Sequence, residues 1–290
     1  MNPVSAVRDE QRLEVVVERL DDWLVLSADL PDAGRSWSPC CGLQRTTASS
    51  GPAKLVIVPP ARKIGLRADV PVEDGIDVVA RSREARDGMM RLAAAADAGA
   101  AFDKAQAEET PACIKTSKPA GKGTDAGDEA PACTNSNSAA GNDLAALAAE
   151  AGWAFVQRAS GRLAIDLGVP GQFHQAIVEP RNAGGCRARV ELARLGDAAD
   201  EARAAVAVLL LTVAHVVRFV RAGAEPLDGT TAVFVEVDIE SAATATELHH
   251  GLSALSVACR IAGREVKALM DPDVARPYLA ARGWVVSCTR

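Results

Sequence analysis

Aromatic side chains are scarce in this chain. They make up 3% of its 290 residues, while the apolar fraction reaches 48%. Any core must therefore be packed from Val, Leu, Ile and Ala. Long apolar runs are missing too. The longest, Ala204 to Val217, is bounded by Arg203 and Arg218 and holds His215. It falls short of the roughly 20 apolar residues that a spanning helix needs. It reads as a buried helix, and no membrane insertion is expected. Met1 to Arg12 carries Arg8, Asp9, Glu10 and Arg12 and has no apolar run of the signal-peptide kind. The 7 cysteines stand at irregular spacings, and no pair shows the C-x-x-C spacing of a zinc or redox site. The expectation is a cytoplasmic protein with reduced thiols. A net charge of −6 does not suit non-specific nucleic-acid binding, which needs clustered cations to displace counterions.

Motifs that carry chemistry are equally thin. There is no G-x-S-x-G, Walker A, dinucleotide-binding or kinase pattern. Gly184-Gly185 precedes a strand, so it reads as a hairpin turn and not a phosphate loop. Cys259 lies among apolar residues at helical spacing, where a thiol is packing. No cofactor is expected.

What the chain does have is a pattern stated twice. Leu13 to Glu18, a turn at Asp21-Asp22 and Trp23 to Pro31 are matched by Trp153 to Gln157, a turn at Ser160-Gly161 and Arg162 to Pro170. Each is followed by a second strand pair, Lys54 to Val58 with Lys63 to Val70, then His174 to Glu179 with Cys186 to Leu192. Each pair leads into an Ala-rich helix. Repetition of one supersecondary unit points to duplication. The expected fold is α+β: two related units, each an antiparallel sheet with helices packed on one face. The N-terminal unit spans 1–102 and the C-terminal domain 142–290.

Several finer readings follow. Asp32 to Pro52, rich in Gly, Ser, Pro and Thr with the Cys40-Cys41 pair, predicts a long mobile hairpin loop, and Pro59-Pro60 breaks the next strand pair. A helix is expected over Val72–Ala98. The stretch 103–141 has almost no large apolar residue beyond Ile114, which predicts a disordered linker. Cys113 and Cys133 repeat a Pro-Ala-Cys triplet there, either as a thiol pair or as a compositional coincidence. A short helix over Asn142–Ala151 opens the second half. A long helix is expected from Ala198 to Ala222, ended by Gly223. Thr230–Glu240 is the clearest strand, and a last helix runs from Ala245 to Met270, before a tail holding Tyr278 and Trp284.

Three candidate sites stand out. Period two places Glu236, Asp238 and Glu240 on one strand face, either as ligands for a hard cation or as the solvated face of a sheet. His249-His250 are adjacent on a helix and so point about 100° apart, unlike the i, i+4 pair that shares a metal. His215 reads as a core residue and His174 has no evident partner. In the last helix Leu248, Leu252, Leu255, Val266 and Leu269 follow steps of three and four with Cys259 and Ala262. That seam either covers its own sheet or docks a partner, and these five side chains are the candidate partner contacts.

The run Asp143 to Trp153, then Arg162 to Pro170, a long helix and Val233 to Glu240 resembles the bacterial YbjN and type III secretion chaperone-like group of small α/β domains. The resemblance covers 142–270, with a partial copy in 10–98 that lacks a leading helix and a strand after its own helix. It implies a non-catalytic protein that holds client segments on apolar surface, with two copies able to form an internal pseudo-dimer, and it supplies no catalytic residues. The expected function is a chaperone-like adaptor or regulatory scaffold whose partner is a protein client or a second copy. Two other readings stand beside it: a metal-dependent or small-molecule enzyme built on 236–240, and a structural subunit of a larger assembly.

Overall fold

The computed structural model describes residues 13–30, 38–47, 51–58, 63–108 and 138–284. Pro59-Pro60, Cys113, Cys133 and most of the expected linker lie outside them. The first sheet holds β1 (Val16–Leu20), β2 (Trp23–Asp29), β3 (Lys54–Val58) and β4 (Lys63–Pro71) in the order β1-β2-β4-β3. The second holds β5 (Val156–Gln157), β6 (Leu163–Asp166), β7 (Gln175–Pro180), β8 (Gly184–Arg194), β9 (Arg221–Leu227) and β10 (Thr230–Ser241) in the order β5-β6-β7-β8-β10-β9. Every pairing is antiparallel. The chain is thus α+β with two antiparallel sheets. The hairpins recur in both halves, but the strand order does not: β2 pairs with β4, whereas β6 pairs with β7, the next strand in sequence.

Six helices accompany the sheets among the described residues: α1 (Pro39–Thr47), α2 (Val78–Glu108), α3 (Ser138–Glu150), α4 (Asp200–Val216), α5 (Ala245–Leu269) and α6 (Pro272–Ala281). Local chemistry explains several ends. The Asp77 carboxylate accepts the Val79 and Ala80 N–H groups at 3.1 and 3.0 Å, capping α2. Thr244 and Glu247 form a reciprocal capping box on α5. Asp271 caps α6, with Pro272 as its first residue. No helix among the described residues is long and apolar enough to cross a membrane.

Three expectations need correction. Part of the predicted loop at 32–52 is a helix: α1 buries Leu43 and Thr46 against α4 and β9. The long helix does not reach Ala222. It stops at Val216, the chain turns through Phe219 at φ 69°, and Arg221 to Leu227 becomes strand β9. Gly223 is therefore a mid-strand residue and not a helix stop. A Cβ there would lie 2.6 Å from the Phe234 ring and 2.7 Å from Thr47 Oγ1. The unit boundaries at 102 and 142 both fall inside helices, because α2 continues to Glu108 and α3 starts at Ser138.

The two halves share one hydrophobic core. Helix α4 packs on β3 of the first sheet as well as on β9 and α5, and α1 bridges α4 and β9. Helix α5 covers β8 and β10, and α2 lies on β4 and β2. The Thr47 hydroxyl donates to Ala224 O at 3.0 Å and accepts the Ala224 N–H at 3.2 Å. It thereby satisfies part of the free edge of β9, the kind of edge that otherwise invites pairing with another chain.

Candidate functional site

The candidate docking seam on α5 faces inward. Leu248, Leu252, Leu255, Val266 and Leu269 are each at most 1% exposed. Gly251 on the same face lets the helix approach β10 closely, since a Cβ there would stand 2.9 Å from Val237 Cγ1. As the chain is folded, the seam covers its own sheet and offers none of the five side chains to a partner. The outward face of α5 carries Val257, Arg260, Ile261 and Arg264 instead.

The acidic strand is neither solvated nor free to take a cation. Glu236 and Asp238 are both 2% exposed. Arg189 on β8 reaches Glu236 at 2.9 Å, and Arg221 on β9 reaches it at 3.4 Å. Both arginines stand directly opposite Glu236 in the ladder register. Asp238 takes Arg181 at 3.0 Å, Arg221 at 3.5 Å and the Gly51 N–H at 3.0 Å. Arg221, fully buried, also donates to the backbone carbonyls of Gly51 and Thr46. Glu240 pairs with Arg91 of α2 at 3.1 Å. The face opposite Val233, Val235, Val237 and Ile239 is thus roofed by chain from the first half. Among the described residues no group of three or more His, Cys, Asp and Glu is placed to hold a metal.

A second buried pair explains where α4 ends. Lys54 on β3 meets Asp69 on β4 at 2.5 Å and donates to Val217 O and Val220 O at 3.2 and 3.0 Å. Asp69 accepts the Phe219 N–H at 3.1 Å. The first sheet therefore supplies the donors and the acceptor that the broken helix end requires. Burial raises the Asp69 carboxyl, but the Lys54 ammonium and the Arg67 guanidinium more than offset this and hold it below its ordinary value.

The histidines are scattered. His249 contacts the Ala151 carbonyl and His250 contacts Glu73, at 3.0 and 2.9 Å, and their rings are 6.0 Å apart. His174 has a partner after all, Gln172 at 2.9 Å, and lies against Gly263. His215 is partly buried with Nδ1 unpartnered. Burial and the nearby Arg67 and Lys54 charges push it toward the neutral form. Burial drives the Cys186 and Cys259 thiols up to about 12, so both are inert packing. Gly184-Gly185 opens β8, and the turn itself is Asn182-Ala183. Gly185 is needed there because a Cβ would approach Ile239 O to 2.3 Å.

An apolar groove of ≈ 420 Å³ lies elsewhere, between α1, α4 and the C-terminal end of α6. One face of α4 forms its floor through Asp200, Arg203, Ala204, Ala207 and Val208, spaced as a single helical stripe. Cys40, Leu43 and Gln44 of α1 form one wall, and Leu279 and Trp284 contribute the other side. The small side chains of Ala204, Ala207 and Ala224 leave the space unfilled. Burial pushes the Cys40 thiol up, with the Arg203 guanidinium acting in the opposite sense, so the thiol stays protonated. The groove is an apolar slot with a few polar groups at its rim, the usual make-up of a binding site.

No protein-family model matches the chain, and neither the curated proteins nor the solved structures provide a match.

Sequence reasoning missed both the groove and the arginine partners of the acidic strand. One signal was legible: Asp228-Gly229 between Leu227 and Thr230 is a strong two-residue hairpin signature. Both residues have positive φ, 49° and 74°. That dipeptide announces a strand before β10, and a strand there places Arg221 opposite Glu236.

Proposed function

We propose that the chain is a non-catalytic cytoplasmic binding protein, a chaperone-like adaptor or regulatory scaffold, that holds an apolar segment of a protein client in the groove between α1, α4 and α6. The observation that carries this reading is the groove itself: an open slot of ≈ 420 Å³ floored by Ala204, Ala207 and Val208, with Asp200 and Arg203 at one end, and flanked by Leu43, Leu279 and Trp284. Apolar side chains entering it would exchange water for aliphatic surface, at about 25 cal/mol per Å² removed from water. The resemblance of 142–270 to the YbjN and type III secretion chaperone-like domains points to the same class of function, although β9 adds a strand between the long helix and β10. The Arg181, Arg189 and Arg221 pairs also weigh against the metal-enzyme reading, because Glu236 and Asp238 are already neutralised.

The test is site-specific photo-crosslinking in the native host. A benzophenone side chain replaces Gln44, which is exposed at the groove rim, or Val156, 60% exposed on β5, as a control position. The expected result is one dominant protein, crosslinked through an apolar segment from position 44 only. Ala204→Trp, which fills the groove from a partly exposed position, should remove that crosslink without lowering the melting temperature. A crosslink that persists in Ala204→Trp, or equal products from both positions, would overturn the reading.

A further inference from the structure

The first sheet is covered unevenly. Helix α2 lies on β4 and β2, and β1 extends past it. Val17 of β1 is 53% exposed, although Leu26, its neighbour in the ladder, is buried. A notch of ≈ 300 Å³ opens there, lined by Val17, Leu26, Ser82, Arg83 and Arg86. On α2 it is bordered by one stripe, because Val79, Arg83, Arg86 and Met90 follow steps of four and three. Val79 and Met90 are 70% and 45% exposed. Aliphatic surface around two arginines thus lies open beside a strand at the sheet edge.

The backbone of β1 is open as well. Among the described residues it pairs with β2 alone. Leu20 and Trp23 flank the two-residue turn Asp21-Asp22 and form the hydrogen-bonded pair that closes it. By alternation Val16 and Glu18 also bond to β2, and the N–H and C=O groups of Val17 and Arg19 point out of the sheet. Such an edge takes an added strand through main-chain bonds, while the side-chain surface beside it sets the choice of strand.

Charge decides what that strand must carry. Period two places Arg19 on the face of Val17, the side of Arg83 and Arg86. None of these three arginines forms an ion pair among the described residues; Arg19 Nε donates to the Asp21 carbonyl at 3.4 Å. Of the nearby acids, Glu84 is held by Arg81 at 2.9 Å, Asp87 does not line the notch, and Glu18 falls on the opposite face of β1. A second copy is a poor occupant. A two-fold that joins β1 to β1 antiparallel in one continuous sheet aligns like faces, and it would crowd two sets of these arginines together.

We infer that β1 is a docking edge for an extended acidic segment of a partner protein, added antiparallel. One aliphatic side chain of that segment fills the notch over Val17 and Leu26, and its flanking carboxylates meet Arg19, Arg83 and Arg86. This surface is separate from the groove and does not depend on it.

The probe is a fluorescein-labelled peptide, Thr-Glu-Thr-Val-Thr-Glu-Thr, whose alternation puts Glu, Val and Glu on the arginine face. Its binding to the full chain is read by anisotropy, beside the same peptide with Lys at both Glu positions. The acidic form should bind about fivefold more tightly, the worth of two exposed ion pairs, and the gap should narrow at high salt. N-methylation of the peptide valine, whose N–H points at β1, should abolish binding. Amide exchange at Val17 and Arg19 should slow when the unmethylated peptide is bound. In Arg83→Glu with Arg86→Glu, both at exposed positions, the preference should invert with the melting temperature unchanged. A preference that stays the same in that variant, or undiminished binding of the methylated peptide, would overturn the inference. Binding of neither peptide at millimolar concentration would overturn it too. So would a dimer of the chain that is lost in Val17→Pro, a change that removes an outward N–H and leaves the ladder to β2 intact.

Discussion

The charged seam between the two halves, on the Glu236–Asp238 face of β10, and the groove beside α4 are both lined by arginine on an aliphatic frame, yet they have opposite characters. In the seam every described carboxylate is met: Arg181, Arg189 and Arg221 converge on Glu236 and Asp238, and the backbone of Gly51 and Thr46 completes the set. In the groove no ion pair forms with Arg203 among the described residues, and Ala204, Ala207 and Ala224 leave an apolar slot unfilled. The difference teaches how to separate structure from recognition. Saturated charge joins two parts of one fold. An unfilled apolar slot is a place for something else.

The comparison breaks most sharply if the seam is opened. Arg221→Met leaves Glu236 and Asp238 buried with fewer partners and should cost about 3–5 kcal/mol in chemical denaturation. Adding Asp238→Asn to that variant should recover part of the loss, since the stranded charge is then removed. A loss no larger than that of a surface substitution would mean the seam is not the joint between the halves. Next comes the close approach of β8 to β10. Gly185→Ala forces a Cβ to within 2.3 Å of Ile239 O and should cost about 1–3 kcal/mol, read from the denaturation midpoint.

Acid tests the same joint through Asp69. Its folded carboxyl ionises below the ordinary value of 3.8. A depressed carboxyl contributes stability that is present above its unfolded value and is lost as pH falls through the folded one. Urea midpoints should therefore hold from neutrality to about pH 4 as far as Asp69 contributes, and fall below it. In Asp69→Asn that share of the acid dependence should be absent. The smallest effect belongs to the groove. Arg203→Met loses only the bond to Gly196 O, so stability should fall by about 1 kcal/mol or less. A stability loss as large as that of Arg221→Met would place Arg203 with the seam and end the contrast.

Much of the scaffold was readable residue by residue. Alternation in Val233 to Glu240 marked β10, and the apolar steps from Leu248 to Leu269 placed α5 within one residue at its C-terminal end. The sites were less legible, for identifiable reasons. Leu248, Leu252 and Leu255 have the spacing of a docking helix and of a core helix alike, because periodicity states which face is apolar and not what lies against it. Glu236 and Asp238 alternate like a solvated strand face. Their burial depends on Arg189 from β8, Arg221 from β9 and a roof near Gly51, residues up to 187 positions away. The stop at Val216 was invisible for a similar reason. The groups that hold the turn open, Lys54 and Asp69, belong to the other sheet.

The sequence by itself determined the class of the fold, the aliphatic core and the position of most strands and helices, since these follow from local spacing, caps and turn residues. Tertiary structure alone decided the strand order of the two sheets, the end of α4, the pairing of the buried charges and the groove at Arg203. Each of those depends on which distant segments meet. A buried charge is tolerated only where its partner arrives, and a slot stays open only where three helices pack around alanines.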